Sequence, residues 1–275
     1  MSPSHGHFSI RMTWALGLTT SLVGAAKPLE IDSPHYHLRS TAPEARSRQA
    51  IEAAERLHLG WTQWCGPKTT THRATHQLRL FATRDQMRQS IPGLNWAEAI
   101  YHDGRCDQFD DRWAERPWHW LVHEATHQLA YEDAHLNLPR WANEGLACLF
   151  STSKTKGTAL LLGSVDPETY PVWWLKRTPP GRQMQQDLRS GLLMAPSQIL
   201  KEPDTIDIGT SVNAHYLTWW SLVHYLNATD PDSWKQWVLT DGTNAGLARR
   251  FGPLSTLDSR WYAHVLALRD SLPKH

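Results

Sequence analysis

Alternating and helical patterns of apolar residues divide the first part of the chain into short elements. The segments 35–41 and 76–82 alternate apolar and polar side chains, which is the period of a half-buried strand. Between them, the segment 43–60 repeats apolar residues at helical spacing and begins at a proline, as many helices do. The pattern predicts a strand, a helix and a strand in that order.

Local capping and turn signals place the next two elements. Thr83 is a suitable cap for a short helix that reaches residue 91. Residues 97–102 have the pattern of a strand, which the turn signal Asp103-Gly104 closes. The segment that follows this turn reads as a loop.

Helical periodicity dominates the remainder of the chain. One helix is predicted from Pro117 to about Tyr131, and another begins near Pro139. A loop and a short apolar strand follow at 154–163, and then an irregular region with short helices at 171–206. Longer helices are predicted at 212–226, 231–238 and 257–272.

The order of these elements predicts an α+β fold, because strands are concentrated early and helices late. We expect one domain over residues 27–275, with a small mixed sheet in an α/β part (about 27–135) and a helical part (about 136–275). No internal repeat or linker divides it.

The first residues have the composition of an export signal. Residues 12–23 are mostly apolar, and Val23-Gly24-Ala25-Ala26 offers small side chains for cleavage. The run is too short to cross a bilayer, and no later segment is long and apolar enough to do so. We therefore predict a signal peptide over residues 1–26 and a secreted or periplasmic protein; the alternative is a buried N-terminal helix.

Composition narrows the possible partners. The formal net charge of +1 gives no electrostatic reason to expect nucleic acid or an anionic membrane as a partner. The chain contains 15 Trp and 16 His, and so many histidines raise the chance that any histidine motif is accidental. A histidine-rich helix that binds no metal is therefore one of the hypotheses below.

An exported chain permits disulfide bonds. Cys65 and Cys106 lie in loop-like sequence, which predicts that they pair with each other. Cys148 lies in a helical segment and is expected to be a buried thiol.

The strongest chemical signal is His123-Glu124-x-x-His127. Two histidines four residues apart on a helix share one face, and both imidazoles can reach one zinc ion at about 2.0–2.1 Å. Glu124 projects about 100° around the helix, beside the ion, where a carboxylate can take a proton from a zinc-bound water. The motif combines a metal site with a general base.

Glu144 is the candidate third ligand. It follows His127 after a turn near Pro139, and the small residues Gly145 and Ala147 let its helix approach closely. Two histidines and one glutamate leave a fourth position open for water, as in catalytic zinc sites.

Two quoted segments carry a resemblance to a known family. His-Glu-Ala-Thr-His-Gln, followed by Pro-Arg-Trp-Ala-Asn-Glu-Gly-Leu-Ala, resembles the gluzincin metallopeptidases of the peptidase MA clan, especially exported bacterial members. The specific likeness covers residues 118–150. A looser likeness includes the earlier strand–helix–strand region and the helix at 216–226.

The resemblance implies a zincin-like fold and a peptidase with Zn²⁺ as its cofactor. It implies His123, His127 and Glu144 as zinc ligands and Glu124 as the general base. It also implies that the strand at 97–102 is a sheet edge that holds an extended peptide by backbone pairing.

The chain departs from the family pattern at one position near the ligands. Gluzincins often carry an acidic residue four positions after the ligand glutamate, where it orients a ligand histidine. Here that position is Cys148. A thiol is a weak acceptor, and the spacer between His127 and Glu144 is also short.

Several neighbours have both a chemical and a structural interpretation. His119 lies one turn before His123 and is expected to line the groove or support a ligand, not to bind metal. Tyr216 is a candidate donor to the oxyanion of a tetrahedral intermediate, with His215 as the neighbouring alternative. For each residue of this pair, the structural interpretation is a packed side chain of a Trp-rich helix, which is the commoner role of such residues.

Structural roles are favoured for the other polar and aromatic residues near the motif. Asn143 is expected to cap the second helix, with a contact to substrate as the alternative. Trp141 is expected in the core. Tyr131 is expected to pack, with a contact to the site as the alternative. The Trp pairs at 173–174 and 219–220 are expected in a bulky core, with a groove lining as the alternative.

The sequence favours a secreted zinc-dependent peptidase that acts on peptides or proteins. The first alternative keeps the fold as a catalytically inactive zinc- or peptide-binding domain of the cell envelope. The second is a structural protein whose histidine stripe binds no metal. Substrate specificity and oligomeric state do not follow from the sequence.

Overall fold

The structure is a computed structural model that describes residues 27–66, 75–94 and 97–273; the predicted signal peptide lies outside these ranges. Its strands are β1 (Leu29–Asp32), β2 (Tyr36–Ser40), β3 (His76–Phe81), β4 (Ala99–His102), β5 (Arg105–Phe109), β6 (Ser153–Lys156) and β7 (Ala159–Val165). Its helices are α1 (Glu44–Cys65), α2 (Arg84–Ser90), α3 (His119–Gln128), α4 (Arg140–Ser151), α5 (Val172–Arg177), α6 (Met184–Arg189), α7 (Pro196–Ile199), α8 (Val212–Thr229), α9 (Pro231–Thr240), α10 (Asn244–Phe251) and α11 (Leu257–Ser271). The fold is mixed α/β with a helical C-terminal half, as predicted.

A five-stranded sheet forms the N-terminal part in the order β1-β2-β3-β5-β4. The three central strands run parallel, and both edge strands pair antiparallel with their neighbours. The prediction of an edge strand at 97–102 is confirmed, because β4 lies at the border of the sheet. The short edge strand β1 was missed.

The segment after the Asp103-Gly104 turn is a strand and not the predicted loop. Asp103 and Gly104 have φ angles of 48° and 71°, which is the left-handed turn that joins two antiparallel strands directly. In β5, Asp107 and Gln108 are buried, so apolar alternation is lost. Arg79 forms an ion pair with Asp107, which allows this charge to be buried.

The predicted disulfide bond is wrong. Cys65 is the last residue of α1, whereas Cys106 lies in β5 with its Sγ 3.4 Å from Gln128 Oε1, and no disulfide joins them. Both were assigned to loops, where side chains can adapt to a partner; instead each belongs to a regular element. Cys148 is fully buried, as expected.

The helix that carries His123 and His127 ends in an irregular way. The α-helical part α3 passes into a π-helical turn, Leu129–Asp133. A π turn adds a residue to the helical repeat, and such turns are frequent at functional sites. The side chains at 132 and 133 therefore lie elsewhere than an uninterrupted helix would place them.

Most of the buried aromatic residues lie in one large core that joins the sheet to the C-terminal helices, while Phe81 and Phe109 belong to a smaller second cluster. Six tryptophans are among the fully buried side chains: Trp61, Trp219, Trp220, Trp234, Trp237 and Trp261. This confirms the core assignment for 219–220, while Trp173 and Trp174 are only partly buried.

The contact between α4 and α8 depends on one glycine. A Cβ atom at Gly145 would lie 2.5 Å from Val223 Cγ2 and 2.6 Å from the backbone oxygen of Trp219. Both distances are shorter than real Cβ contacts, so only glycine permits this approach. The close packing fixes α4, and with it Glu144, against the C-terminal helices.

Candidate metal centre

Helices α3 and α4 bring the three predicted ligands together. His123 Nε2 lies 3.2 Å from His127 Nε2 across one helical turn. Glu144 Oε2, from α4, lies 3.3 Å from His123 Nε2 and 3.7 Å from His127 Nε2. We call these three residues the first cluster.

The separations match what one tetrahedral ion requires. Zinc bonds of about 2.0–2.1 Å at tetrahedral angles place ligand atoms about 3.3 Å apart. The three ligand atoms of the first cluster lie 3.2, 3.3 and 3.7 Å apart. Two imidazoles and one carboxylate are also a donor set that suits zinc.

In the buried first cluster, the charges of His127 and Glu144 shift each other's pKa. Burial lowers the pKa of His127, but the Glu144 carboxylate outweighs it and raises the pKa to about 9. Burial conversely raises the pKa of Glu144, and the charge of His127 outweighs it and holds that pKa well below its usual range. The carboxylate is thus held in the ionised form that binds a cation.

Cys148 contacts the far side of the His123 ring. Its Sγ lies 3.8 Å from His123 Nδ1. Burial and the nearby charge of Glu144 raise the pKa of the thiol well above its usual range, so it stays protonated. The ring is supported by a neutral, weak partner, where a carboxylate would hold it more firmly.

Glu124 lies beside the first cluster and contacts the sheet edge. Its Oε2 accepts a hydrogen bond from the backbone N–H of Tyr101 in β4, at 2.8 Å. The candidate base is therefore fixed by the same strand that was expected to hold a peptide.

A cleft of about 890 Å³ opens in front of these groups. Its lining includes Glu124, His127 and Glu144 together with Tyr101 and Asn143. A cleft of this size can admit several residues of an extended peptide.

Tyr216 of α8 also lines this cleft. Its ring centroid lies 6.3 Å from that of His123. Burial, then the charge of Glu144, raises the pKa of the phenol well above its usual range. The hydroxyl therefore keeps its proton at neutral pH and is available as a donor.

Two histidines near the motif lie outside the first cluster. His119 is buried, and its Nδ1 lies 3.1 Å from the Ser151 carbonyl oxygen, which accepts a hydrogen bond from it. Burial lowers its pKa to about 3. His215 is also buried, and its Nδ1 lies 2.9 Å from the Ser211 carbonyl oxygen.

Two structural assignments near the motif are wrong. Asn143 does not cap α4, because Pro139 precedes the first helical residue and Asn143 lies inside the helix, where it lines the cleft. Tyr131 does not pack, since it is 68% exposed at the rim of the cleft. Trp141 is buried in the core, as expected.

Glu132 is a cleft residue that periodicity did not identify. It lies in the π turn, five positions after His127, a spacing that an ordinary helix would turn away from that side chain. Its Oε1 accepts a hydrogen bond from the Tyr101 hydroxyl at 3.0 Å. The glutamate was visible in the sequence, but the π turn was not.

Comparison with known families gives one match. Residues 120–248 are similar to a family described as "Protein of unknown function (DUF1570)". This range contains the first cluster, Glu124 and Tyr216. No curated protein matches the chain.

Proposed function

We propose that the protein is an exported, zinc-dependent peptidase of zincin-like fold. The observation that carries the proposal is the triangle of His123, His127 and Glu144 ligand atoms with Glu124 beside it in an open cleft. Two of the three candidate ligands, His127 and Glu144, line the cleft, which leaves room for substrate as in catalytic zinc sites. The export signal predicted at residues 1–26 supports the location.

A zinc ion held by these ligands would polarise a substrate carbonyl and acidify a water molecule. Glu124 takes a proton from the attacking water as the water oxygen bonds to the carbonyl carbon. Glu124 then gives that proton to the departing amine nitrogen as the C–N bond breaks. Tyr216 donates a hydrogen bond to the carbonyl oxygen as negative charge develops on it.

The second candidate function is a zinc- or peptide-binding domain of the cell envelope that does not catalyse. It is favoured by the hydrogen bond between Tyr101 N–H and Glu124 Oε2, which engages the candidate base. The weak support that Cys148 gives to His123 points the same way.

The deciding experiment combines metal content with turnover. The mature chain is purified without a histidine tag, loaded with zinc and assayed on a broad peptide library. Glu124→Gln is expected to keep the zinc and lower kcat by about 10²–10⁴-fold, because the amide cannot accept the proton. Glu44→Gln, an exposed residue of α1, is the matched control and should behave as the unchanged chain.

Each other outcome has a clear meaning. Full activity in Glu124→Gln would refute the proposed base. Bound zinc without cleavage by any form would establish the binding function instead. A folded chain that takes up no zinc would refute the peptidase and the zinc-binding domain alike.

A further inference from the structure

A second group of possible metal ligands lies outside the catalytic cleft. It consists of His58 from α1, His76 at the start of β3 and Asp133 at the end of the π turn, with one ligand atom of each within 4.8 Å of the others. Asp133 Oδ1 lies 3.2 Å from His76 Nε2, and Asp133 Oδ2 lies 4.0 Å from His58 Nε2. We call these residues the second cluster.

A hydrogen-bonded carboxylate orients His76 toward the cluster. The Nδ1 atom of His76 lies 2.8 Å from Glu132 Oε2, so the Nδ1–H group donates a hydrogen bond to the carboxylate. The other nitrogen, Nε2, is the one that faces Asp133. Metal-binding imidazoles have this arrangement, in which a carboxylate fixes the ring and leaves the second nitrogen for the ion.

His58 is held in place by a second ring. The rings of His58 and His35 stack with their centroids 3.6 Å apart. His35 is fixed in turn by Glu55, whose Oε2 lies 2.7 Å from His35 Nδ1. Both imidazoles of the second cluster therefore have a defined orientation.

Asp133 supplies an independent observation. The residue is 4% exposed, yet its Oδ1 accepts no hydrogen bond from the part of the chain that the structure describes. A buried carboxylate oxygen without a donor is costly, and a bound cation would satisfy it. The buried hydroxyl of Tyr36, whose ring centroid is 5.4 Å from that of His76, likewise has no hydrogen-bond partner among the described residues.

We propose that His58, His76 and Asp133 bind a second divalent transition-metal ion, which ties α1 and β3 to the π turn. Two nitrogens and one carboxylate oxygen suit zinc and its neighbours in the first transition series. The 4.0 Å separation between Asp133 Oδ2 and His58 Nε2 is longer than one ion would allow, and a shift of about 0.7 Å would close it. His58 also lines a separate cleft of about 660 Å³ with His35 and Glu55, which gives an ion a route from solvent.

The competing arrangement is an ion pair without metal. Burial lowers the pKa of His76, but Asp133 and Glu132 outweigh it and raise the pKa to about 9, so an imidazolium could balance the carboxylates. In that arrangement the 3.2 Å contact with His76 Nε2 is all that reaches Asp133 Oδ1, which has no other donor among the described residues. It also gives no role to the nitrogen that His58 turns toward Asp133.

The test disables the first cluster by a substitution and then measures how many metal ions the chain still binds. The His127→Gln chain, freed of metal by chelation, is titrated with Co²⁺, whose visible absorption reports ligand geometry, and then with Zn²⁺. We expect saturation at about one equivalent with a tetrahedral or five-coordinate spectrum. A folded His127→Gln chain that binds neither ion would overturn the proposal, whatever the fate of the proposed peptidase activity.

Further substitutions locate the ion. Adding His58→Gln or the isosteric Asp133→Asn should weaken Zn²⁺ binding by about 100-fold or more, since loss of a ligand exceeds the 10–100-fold cost of losing a supporting contact. Adding His37→Gln is the matched control, because His37 neighbours Tyr36 on β2 but faces the other side of the sheet. Circular dichroism confirms folding of each variant, and equal affinity in the His58→Gln and His37→Gln chains would also refute the assignment.

Discussion

The two clusters use the same kinds of side chain, but the carboxylates beside them differ. In the first, His127 and Glu144 line a cleft together with Glu124, the base of the proposed reaction. In the second, His76 and Asp133 are 3% and 4% exposed, and the neighbouring Glu132 already accepts hydrogen bonds on both oxygens. The difference indicates that the first cluster suits chemistry and the second suits holding elements together.

Removal of one ligand from each cluster tests this contrast with the largest expected effect. His127→Gln should lower kcat by about 10³-fold or more, because several kcal/mol of transition-state stabilisation depend on the ion. Asp133→Asn should instead lower the Tm measured in zinc by about 5 °C, the shift that about 2 kcal/mol gives in a chain of this size. A large loss of kcat in Asp133→Asn with an unchanged Tm would break the comparison.

Tyr216→Phe tests the catalytic side of the comparison more finely. We expect kcat to fall by about 10²-fold with KM and zinc content nearly unchanged, because the phenol acts on charge that develops only in the transition state. Steady-state kinetics and elemental analysis check this. A rise in KM at constant kcat would show that Tyr216 binds the ground state instead.

His119 allows a test of how a buried histidine outside both clusters makes the free energy of unfolding depend on pH. Its pKa is about 3 in the folded chain against about 6.5 when unfolded, so the unfolded chain binds more protons between these values. The free energy of unfolding must therefore fall as the pH is lowered from 6.5, by about 2 kcal/mol at pH 5.

Urea unfolding at pH 7 and pH 5 measures this term. On acidification, the His119→Gln chain should lose about 2 kcal/mol less free energy of unfolding than the unchanged chain. The other buried histidines contribute equally in both chains, so their contribution cancels in the comparison. Parallel losses in both chains would contradict the assignment.

The first cluster was predictable because its geometry is local. The proximity of two histidines on one helical turn can be predicted without knowledge of the fold. The position of Glu144 requires only that the chain turn back once after the first helix. The structure brings all three ligand atoms together, as the spacing predicted. The mixed α/β fold was predictable for the same reason, since alternation and helical spacing report on single elements.

The second cluster was not predictable because three separate elements build it. His76 reaches it through the register of a parallel sheet, and Asp133 reaches it through a π turn that the ordinary helical period does not describe. Strand β5 was missed because Asp107 is buried against Arg79, a pairing that only tertiary structure reveals. The errors thus share one cause, which is contact between residues distant in sequence.

The glycine after Glu144 sets an order of events during synthesis. Gly145 seats α4 directly on Trp219 and Val223, so the ligand glutamate has no fixed position until α8 has left the ribosome. The hairpin of β6 and β7 and the three short helices between α4 and α8 must be made first. The newborn chain therefore carries both histidines well before the first cluster can form.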